Sequence, residues 1–251
     1  MRIAAVGDVH LGVDSHGLWR PTLRELPEHA DILLLAGDLT RHGTVEEAEV
    51  VAAEFADLGV PVVAVLGNHD YHSEVEDDIT KLLVDQGITV LEGTATTFTI
   101  SGRTLGIAGT KGFGGGFAGK CASIFGERQM RDFSCHTVAL ADSLAEALAG
   151  LSTDVTVALT HYSPVSDTLH GEPREIYPFL GSYLLGEAID NNGADLALHG
   201  HAHAGSERGT TPGGIRVRNV AQPVLRAAYA IYELDPPKVA PATTPLTDSA
   251  R

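Results

Sequence analysis

The chain has 251 residues, 43% of them hydrophobic and 20% charged, which suits one folded domain with a sizeable core and excludes disorder and fibrous repeats. With 33 acidic against 17 basic residues its formal net charge is −16, and no dense basic run interrupts that excess. Such a surface disfavours nucleic acid, whose phosphates call for clustered cations, and attracts divalent metal ions.

The first half reads as strand, turn and helix in repetition. Residues 2–7, 31–36 and 61–66 are short, apolar and bounded by glycine, the pattern of buried strands. Between them, 45–58 carries Val45, Ala48, Val51, Ala52 and Phe55 at helical spacing, with Thr44 as N-cap and Glu47 three residues on. Residues 74–85 repeat that helical pattern, and Gly87 stops it. After residue 88 the strands crowd together, at 88–91, 96–100 and 103–108, the last two joined by Ser101-Gly102. The glycine-rich stretch 112–119 lacks a Walker pattern behind it and reads as a flexible rim loop, with Lys111 and Phe113 as its contacts.

A helix is expected near 136–149, a strand at 155–160, a helix near 179–191 and a strand at 194–198, followed by strands near 215–221 and 227–233. From Pro236 on, Pro, Ala, Thr and Ser dominate. The expected organisation is therefore a single domain over 1–235 and a flexible tail over 236–251. Apolar runs such as 32–36 and 60–66 are far shorter than the ~18 residues that cross a bilayer, so no membrane span is expected. Met1 runs almost directly into Ile3-Ala4-Ala5-Val6, leaving no room for a signal peptide, and the expected location is cytoplasmic. In that compartment Cys121 and Cys135 are expected as free thiols.

Polar residues gather where these strands end. The first strand runs into Gly7-Asp8-Val9-His10, the second into Gly37-Asp38 and the third into Gly67-Asn68-His69-Asp70. The strand at 155–160 runs into His161, and the one at 194–198 into His199-Gly200-His201-Ala202-His203. One Asp or His at a strand end is ordinarily a capped turn, but five such ends in order are not. Ligands of open α/β sheets bind at the carboxyl ends of the strands, so these groups should converge. Asp8 and His10, like His201 and His203, stand two apart, so extended backbone projects each pair to one side. Glycines 7, 37, 67 and 200 should let the chain turn sharply before each ligand. Oxygen and nitrogen donors without thiolate suit Mn, Fe or Zn ions.

Asp-x-His, Gly-Asp, Gly-Asn-His-Asp, a lone His and Gly-His-x-His, spanning residues 7–203, resemble the signature of the calcineurin-like metallophosphoesterases. Gly-Asp-Leu-Thr-x-x-Gly before Gly-Asn-His-Asp is most similar to the bacterial cyclic-nucleotide phosphodiesterases and small phosphohydrolases of that superfamily. The resemblance implies an α/β fold, a four-layer α-β-β-α sandwich with two mixed β-sheets. It also implies two divalent metal ions per chain. Asp8, His10, Asp38 and His203 would hold one; Asp38, Asn68, His161 and His201 would hold the other, with Asp38 as bridge.

The implied reaction is hydrolysis of a small-molecule phosphodiester by a metal-activated hydroxide. A phosphomonoesterase is the alternative, and a nuclease comes third. His69, held by Asp70, would protonate the departing oxygen or steady its charge. The family's protein Ser/Thr phosphatases carry Arg and Glu where this chain has His42 and Asp70, so that branch does not match. A non-enzymatic interaction module, as in the retromer subunit of similar fold, is disfavoured by the complete ligand set. His42, His72 and His170, in loops after the motif strands, join Lys111 as possible substrate contacts, whereas His16, His29, His136 and His199 are expected at the surface or in packing.

Overall fold

The structure is a computed structural model that describes residues 1–234; the expected tail over 236–251 lies outside the described residues. In chain order its elements begin with β1 (Arg2–Val6), α1 (Arg20–Leu23), α2 (Leu26–His29), β2 (Ile32–Ala36), α3 (Val45–Phe55), β3 (Val62–Val65) and α4 (Glu76–Asp85). Then come β4 (Thr89–Val90), β5 (Thr94–Ile100), β6 (Arg103–Thr110), the small hairpin β7 (Gly116–Phe117) and β8 (Lys120–Cys121), and α5 (Arg128–Ala149). The rest is β9 (Val155–Thr160), α6 (Tyr177–Leu180), α7 (Tyr183–Asn192), β10 (Leu196–His199), β11 (Arg208–Thr210), β12 (Arg216–Asn219), α8 (Gln222–Leu225) and β13 (Ala230–Glu233).

The strands form two large mixed sheets, ordered β13-β1-β2-β3-β4 and β11-β12-β10-β9-β6-β5. Parallel pairing runs through the centre of each, and antiparallel β13, β5 and β11 lie at the edges. The alternation of side chains along β1 explains the stacking. Ala4 and Val6 face outward onto a cluster with Val51, Phe55, Ile79 and Leu83, so α3 and α4 cover that face. Ile3 and Ala5 face inward and meet Leu105, Ile107, Val157 and Leu198 of the second sheet. The far face of that sheet, through Ala108, Ala158 and Ala197, carries Leu144 and Leu148 of α5 and Leu185 and Ile189 of α7. Four layers result, as the resemblance implies, and each fully buried Val, Leu or Ile in them contributes about 1.5–3 kcal/mol of apolar transfer.

Several boundaries differ from the sequence reading. Helix α5 starts at Arg128 instead of 136, because an Arg128–Asp132 ion pair spans its first turn and Phe133 packs on Phe113, ring centres 5.0 Å apart. The helix expected over 179–191 is interrupted: α6 ends at Leu180, and Ser182 caps α7 by accepting the Leu184 N–H. The stretch 112–119 is not a free rim. Gly115 and Gly116 donate their N–H groups to the carbonyls of Pro178 and Gly181, which ties the hairpin onto α6 and the turn that follows it. No helix among the described residues is long and apolar enough to cross a membrane.

Candidate metal centre

Asp8, Asp38 and Asn68 follow β1, β2 and β3 of the first sheet, while His161 follows β9 and His201 and His203 follow β10 of the second. The donor atoms of Asp8, His10, Asp38 and His203 lie within 4.8 Å of one another, and those of Asp38, His161 and His201 form a second such group. Asp38 belongs to both groups, and Asn68 adjoins the second through Oδ1, 3.0 Å from His161 Nε2. The seven side chains singled out as metal-capable are thus brought together.

Hydrogen bonds fix which atom each imidazole offers. His161 donates Nδ1–H to the Ala36 carbonyl at 2.9 Å, so Nε2 is the atom that faces Asn68 Oδ1 and, at 3.3 Å, Asp38 Oδ1. With Nε2 unprotonated, three acceptors meet there, and a cation resolves that arrangement. His201 donates Nε2–H to the Phe179 carbonyl at 3.2 Å, which leaves Nδ1 free. Asp8 accepts the His201 backbone N–H and stands 2.9 Å from His203 Nε2. In these terms the donor set fits divalent ions of the kind that oxygen and nitrogen ligands hold.

Backbone strain collects at the same place. Asp8, His10, Asp38 and His201 all adopt left-handed conformations, with φ of 57°, 44°, 50° and 69°. Each costs roughly 1–2 kcal/mol for a residue with a Cβ, and the surrounding contacts hold it. The turns therefore fall on the ligands themselves; among Gly7, Gly37, Gly67 and Gly200 only Gly37 has a positive φ. Gly67 and Gly200 serve close approach instead: a Cβ there would lie 2.1 Å from Asp38 Oδ1 and 2.3 Å from Asp8 Oδ2.

Electrostatics match. Burial pushes the Asp38 carboxyl above its ordinary range, and the charge of Asp8 adds to this. Burial also works to raise Asp8, but the His203 hydrogen bond and the charges of His161 and His203 outweigh it and leave Asp8 below its ordinary range. Burial lowers His10 to about 4 and His201 to about 3, helped by neighbouring histidines, so both present neutral imidazole at pH 7.

His69 stands beside this group, its ring edge-on to His10 with centres 4.4 Å apart and Nε2 3.9 Å from Asp38 Oδ2. Its Nδ1–H donates to the Arg41 carbonyl at 2.8 Å. The expectation that Asp70 holds this imidazole is corrected here. Asp70 is fully buried, and both its oxygens are engaged: Oδ1 by the N–H and hydroxyl of Thr40, Oδ2 by the N–H groups of Leu39 and Gly67. Asp70 staples the loop after β2 to the loop after β3, and the orienting partner of His69 is a backbone carbonyl that no side-chain pattern reveals.

The other expected contacts scatter. His42 pairs with Glu47, Nδ1 to Oε1 2.9 Å, and His72 is exposed, its N–H donating to the His69 carbonyl. Lys111 is 6% exposed, its ammonium 4.7 Å from the Tyr71 ring centre and 5.0 Å from that of Phe113, and burial lowers its pKa. His170 lines a cavity described below. His199 is packing, with Nδ1–H on the Gly200 carbonyl and Nε2 accepting from Thr168. Missed was Tyr162, whose ring centre is 4.3 Å from that of His201; its place directly after His161 was the available signal.

A two-sheet sandwich whose strand ends present carboxylates, an amide and histidines to one another has the build of a metal-dependent hydrolase. The family model for calcineurin-like phosphoesterases matches residues 1–205, and the chain belongs to that family. It is a metal-dependent phosphoesterase, of a family that binds divalent metal ions. Similar solved structures include phosphopantetheinyl hydrolase (PptH) from Mycobacterium tuberculosis, with 17% identity and a TM-score of 0.68 over 95% of this chain and 98% of that one. TT1561 of Thermus thermophilus shows 16% identity and a TM-score of 0.54 over 92% and 97%. GAP50, the anchor in the inner membrane complex of Plasmodium, shows 14% and 0.56 over 89% and 72%. At these identities the likeness is one of fold. No curated protein matches the chain.

Proposed function

We propose that this chain hydrolyses a small-molecule phosphodiester at a centre for two divalent ions, Mn, Fe or Zn. The observation that carries the reading is the sharing of Asp38 between two donor groups. Asp8, His10, Asp38 and His203 would hold one ion, and Asp38, Asn68, His161 and His201 the other. Such ions, when bound, polarise phosphoryl oxygens and lower the pKa of a water toward about 7.

The chain's own groups supply the rest. Asp8 fixes the His201 backbone and Asp38 accepts the His69 N–H at 2.8 Å, so the ligand loops are cross-tied before any ligand arrives. His69, with Nδ1–H on the Arg41 carbonyl, presents Nε2; as the imidazolium it would hand the Nε2 proton to the departing oxygen and be left as neutral imidazole. The catalytic unit on this reading is one domain over 1–235, supported by the pairing of β13 back onto β1, Arg2 opposite Glu233. Cys121 and Cys135 are free and exposed, which supports a reducing, cytoplasmic setting. The choice of a diester follows the similarity of the Gly-Asp-Leu-Thr-x-x-Gly and Gly-Asn-His-Asp segments to the family's small phosphodiesterases.

The test is metal analysis with a paired assay on the Mn-loaded protein. Two ions per chain and a preference of about ten-fold or more for bis-p-nitrophenyl phosphate over p-nitrophenyl phosphate are expected. A single ion at saturating metal would overturn the two-ion centre, and the reverse preference would make the enzyme a phosphomonoesterase.

A further inference from the structure

Beside the centre lies a cavity of about 360 Å³ lined by Phe117, Lys120, Ser166, His170, Arg174 and Tyr177, with Ala118 and Gly119 at its rim. It is joined to the ligand loop through a shared cluster: Phe117 and Tyr177 pack on Leu169, Leu180 and Ala202, and Ala202 stands between His201 and His203. The segment carrying His170 is held to the same loop, because Ser206 Oγ donates to the His170 carbonyl at 2.9 Å and Ala204 N–H donates to Glu172 Oε1 at 2.7 Å.

Its charge runs against the rest of the molecule. In a chain of net charge −16, Lys120 and Arg174 both line this one cavity, and Arg174 is the sole Lys or Arg between Arg131 and Arg208. Among the described residues, neither has a carboxylate within salt-bridge distance, so both charges are open to a ligand, as those of Arg2, Arg41, Lys81 and Arg128 are not and as those of Arg20, Arg24 and Arg131 also are. His170 donates Nδ1–H to the Asp167 carbonyl at 2.6 Å, so its Nε2 can donate to an anion only as imidazolium, and the two side-chain cations carry the site. Two cations over an aromatic wall make a receptor for an anion attached to an organic group.

We propose that this cavity is a substrate subsite: it takes a second anionic group, phosphate or carboxylate, carried by the organic moiety of the ester whose scissile phosphate lies at the metal centre. The inference rests on the phosphodiesterase reading and narrows its substrates to doubly anionic organophosphates. The sequence hid it because Lys120 and Arg174 stand 54 positions apart, on a hairpin and a loop that the fold alone brings together.

Calorimetric titration of the full chain with thymidine 3′,5′-bisphosphate and thymidine 5′-monophosphate tests this without relying on turnover. The bisphosphate should bind about ten-fold tighter or more, the effect of one or two charge-assisted contacts, with the ratio shrinking as NaCl is raised. In the double variant K120A/R174A that ratio should fall to near one. Lys81→Ala, which removes a cation on α4 paired with Asp85, should keep the wild-type ratio. Equal affinities in the wild type, failure of both probes to bind, or an intact ratio in the double variant would overturn the subsite. Cleavage of bis-p-nitrophenyl phosphate by the Mn-loaded wild type is scored separately. No cleavage alongside an intact ratio removes the phosphodiesterase reading alone, and cleavage without a preference removes the subsite alone.

Discussion

The two halves of the centre differ in their access to water. Around His161 the imidazole is fully buried, and His201 packs on Tyr162 with its Nε2–H on the Phe179 carbonyl. Around His10 and His203 the side chains are 23% and 44% exposed, and His69 stands at their edge. One half is a rigid holder assembled from the core, and the other is where a reacting group and a substrate can enter. Asp38 belongs to both, so the comparison can be attacked at the joint or on either side.

The joint gives the largest effect. Asp38→Asn should lower kcat by at least about 10²–10³-fold, the scale of removing one electrostatic element from a transition state, and metal analysis should show both ions depleted. Retention of one full ion would show that Asp38 serves a single half.

On the open side, His69→Asn should leave metal content near wild type and cost about 10²-fold with an alkyl leaving group. That is the low end for a positioned proton donor, as befits a ring 43% exposed. With p-nitrophenolate, which departs without a proton, the loss should be much smaller. Equal losses on both substrates would remove the proton-donor role.

Release of metal into excess chelator sharpens the contrast itself. The wild type should lose its ions in two phases, the slower from the buried half, and His203→Ala should speed the fast phase by about 10–100-fold while sparing the slow one. His161→Ala should instead collapse the slow phase. A single phase in the wild type would mean that burial does not distinguish the halves.

The smallest effect is on stability after chelation. Burial lowers His10 and His199 to about 4 and His201 to about 3, below the ~6.5 of the unfolded chain, which therefore binds these protons first on acidification. Their contribution is full above pH ~6.5 and is lost as pH falls toward 4. His203, raised chiefly by its Asp8 hydrogen bond, and the Asp38 and Asp70 carboxyls, raised by burial, work in the opposite sense. Replacing the buried His199 by Asn should therefore make the Tm of the stripped protein less sensitive to acidification between pH 6.5 and 4.5, by up to a few degrees, and an unchanged pH dependence would contradict the burial of that ring.

Much of this was legible because strand signals and ligand signals coincide. Leu33, Leu34 and Leu35 inside β2 and Asp38 just beyond it are read from one short run of sequence, and likewise Val62–Val65 and Asn68. The two-sheet stack was implied by the resemblance alone, because Ile3, Ala4, Ala5 and Val6 are all apolar and the run does not say which face meets the second sheet. What sequence could not supply were roles set by backbone. Asp70 looks like a partner for its neighbour His69, but its oxygens are taken by three backbone N–H groups and one hydroxyl from residues 39, 40 and 67. Helix α5 began early and the glycine stretch was tied down through contacts distant in sequence, Phe113 with Phe133 and Gly115 with Pro178, which local periodicity does not carry.

The left-handed backbone at Asp8, His10, Asp38 and His201 sets thermostability against function at those four positions. Glycine is the residue that such φ values favour, so selection for folding alone would erase the donors one by one. At position 10 the conflict is sharpest, because among the described residues the one hydrogen bond of the His10 imidazole is to His203, itself a donor. Consensus or heat-driven engineering of this chain should therefore exempt these sites: a variant that melts higher through glycine there would be a better fold and a poorer receptor for metal.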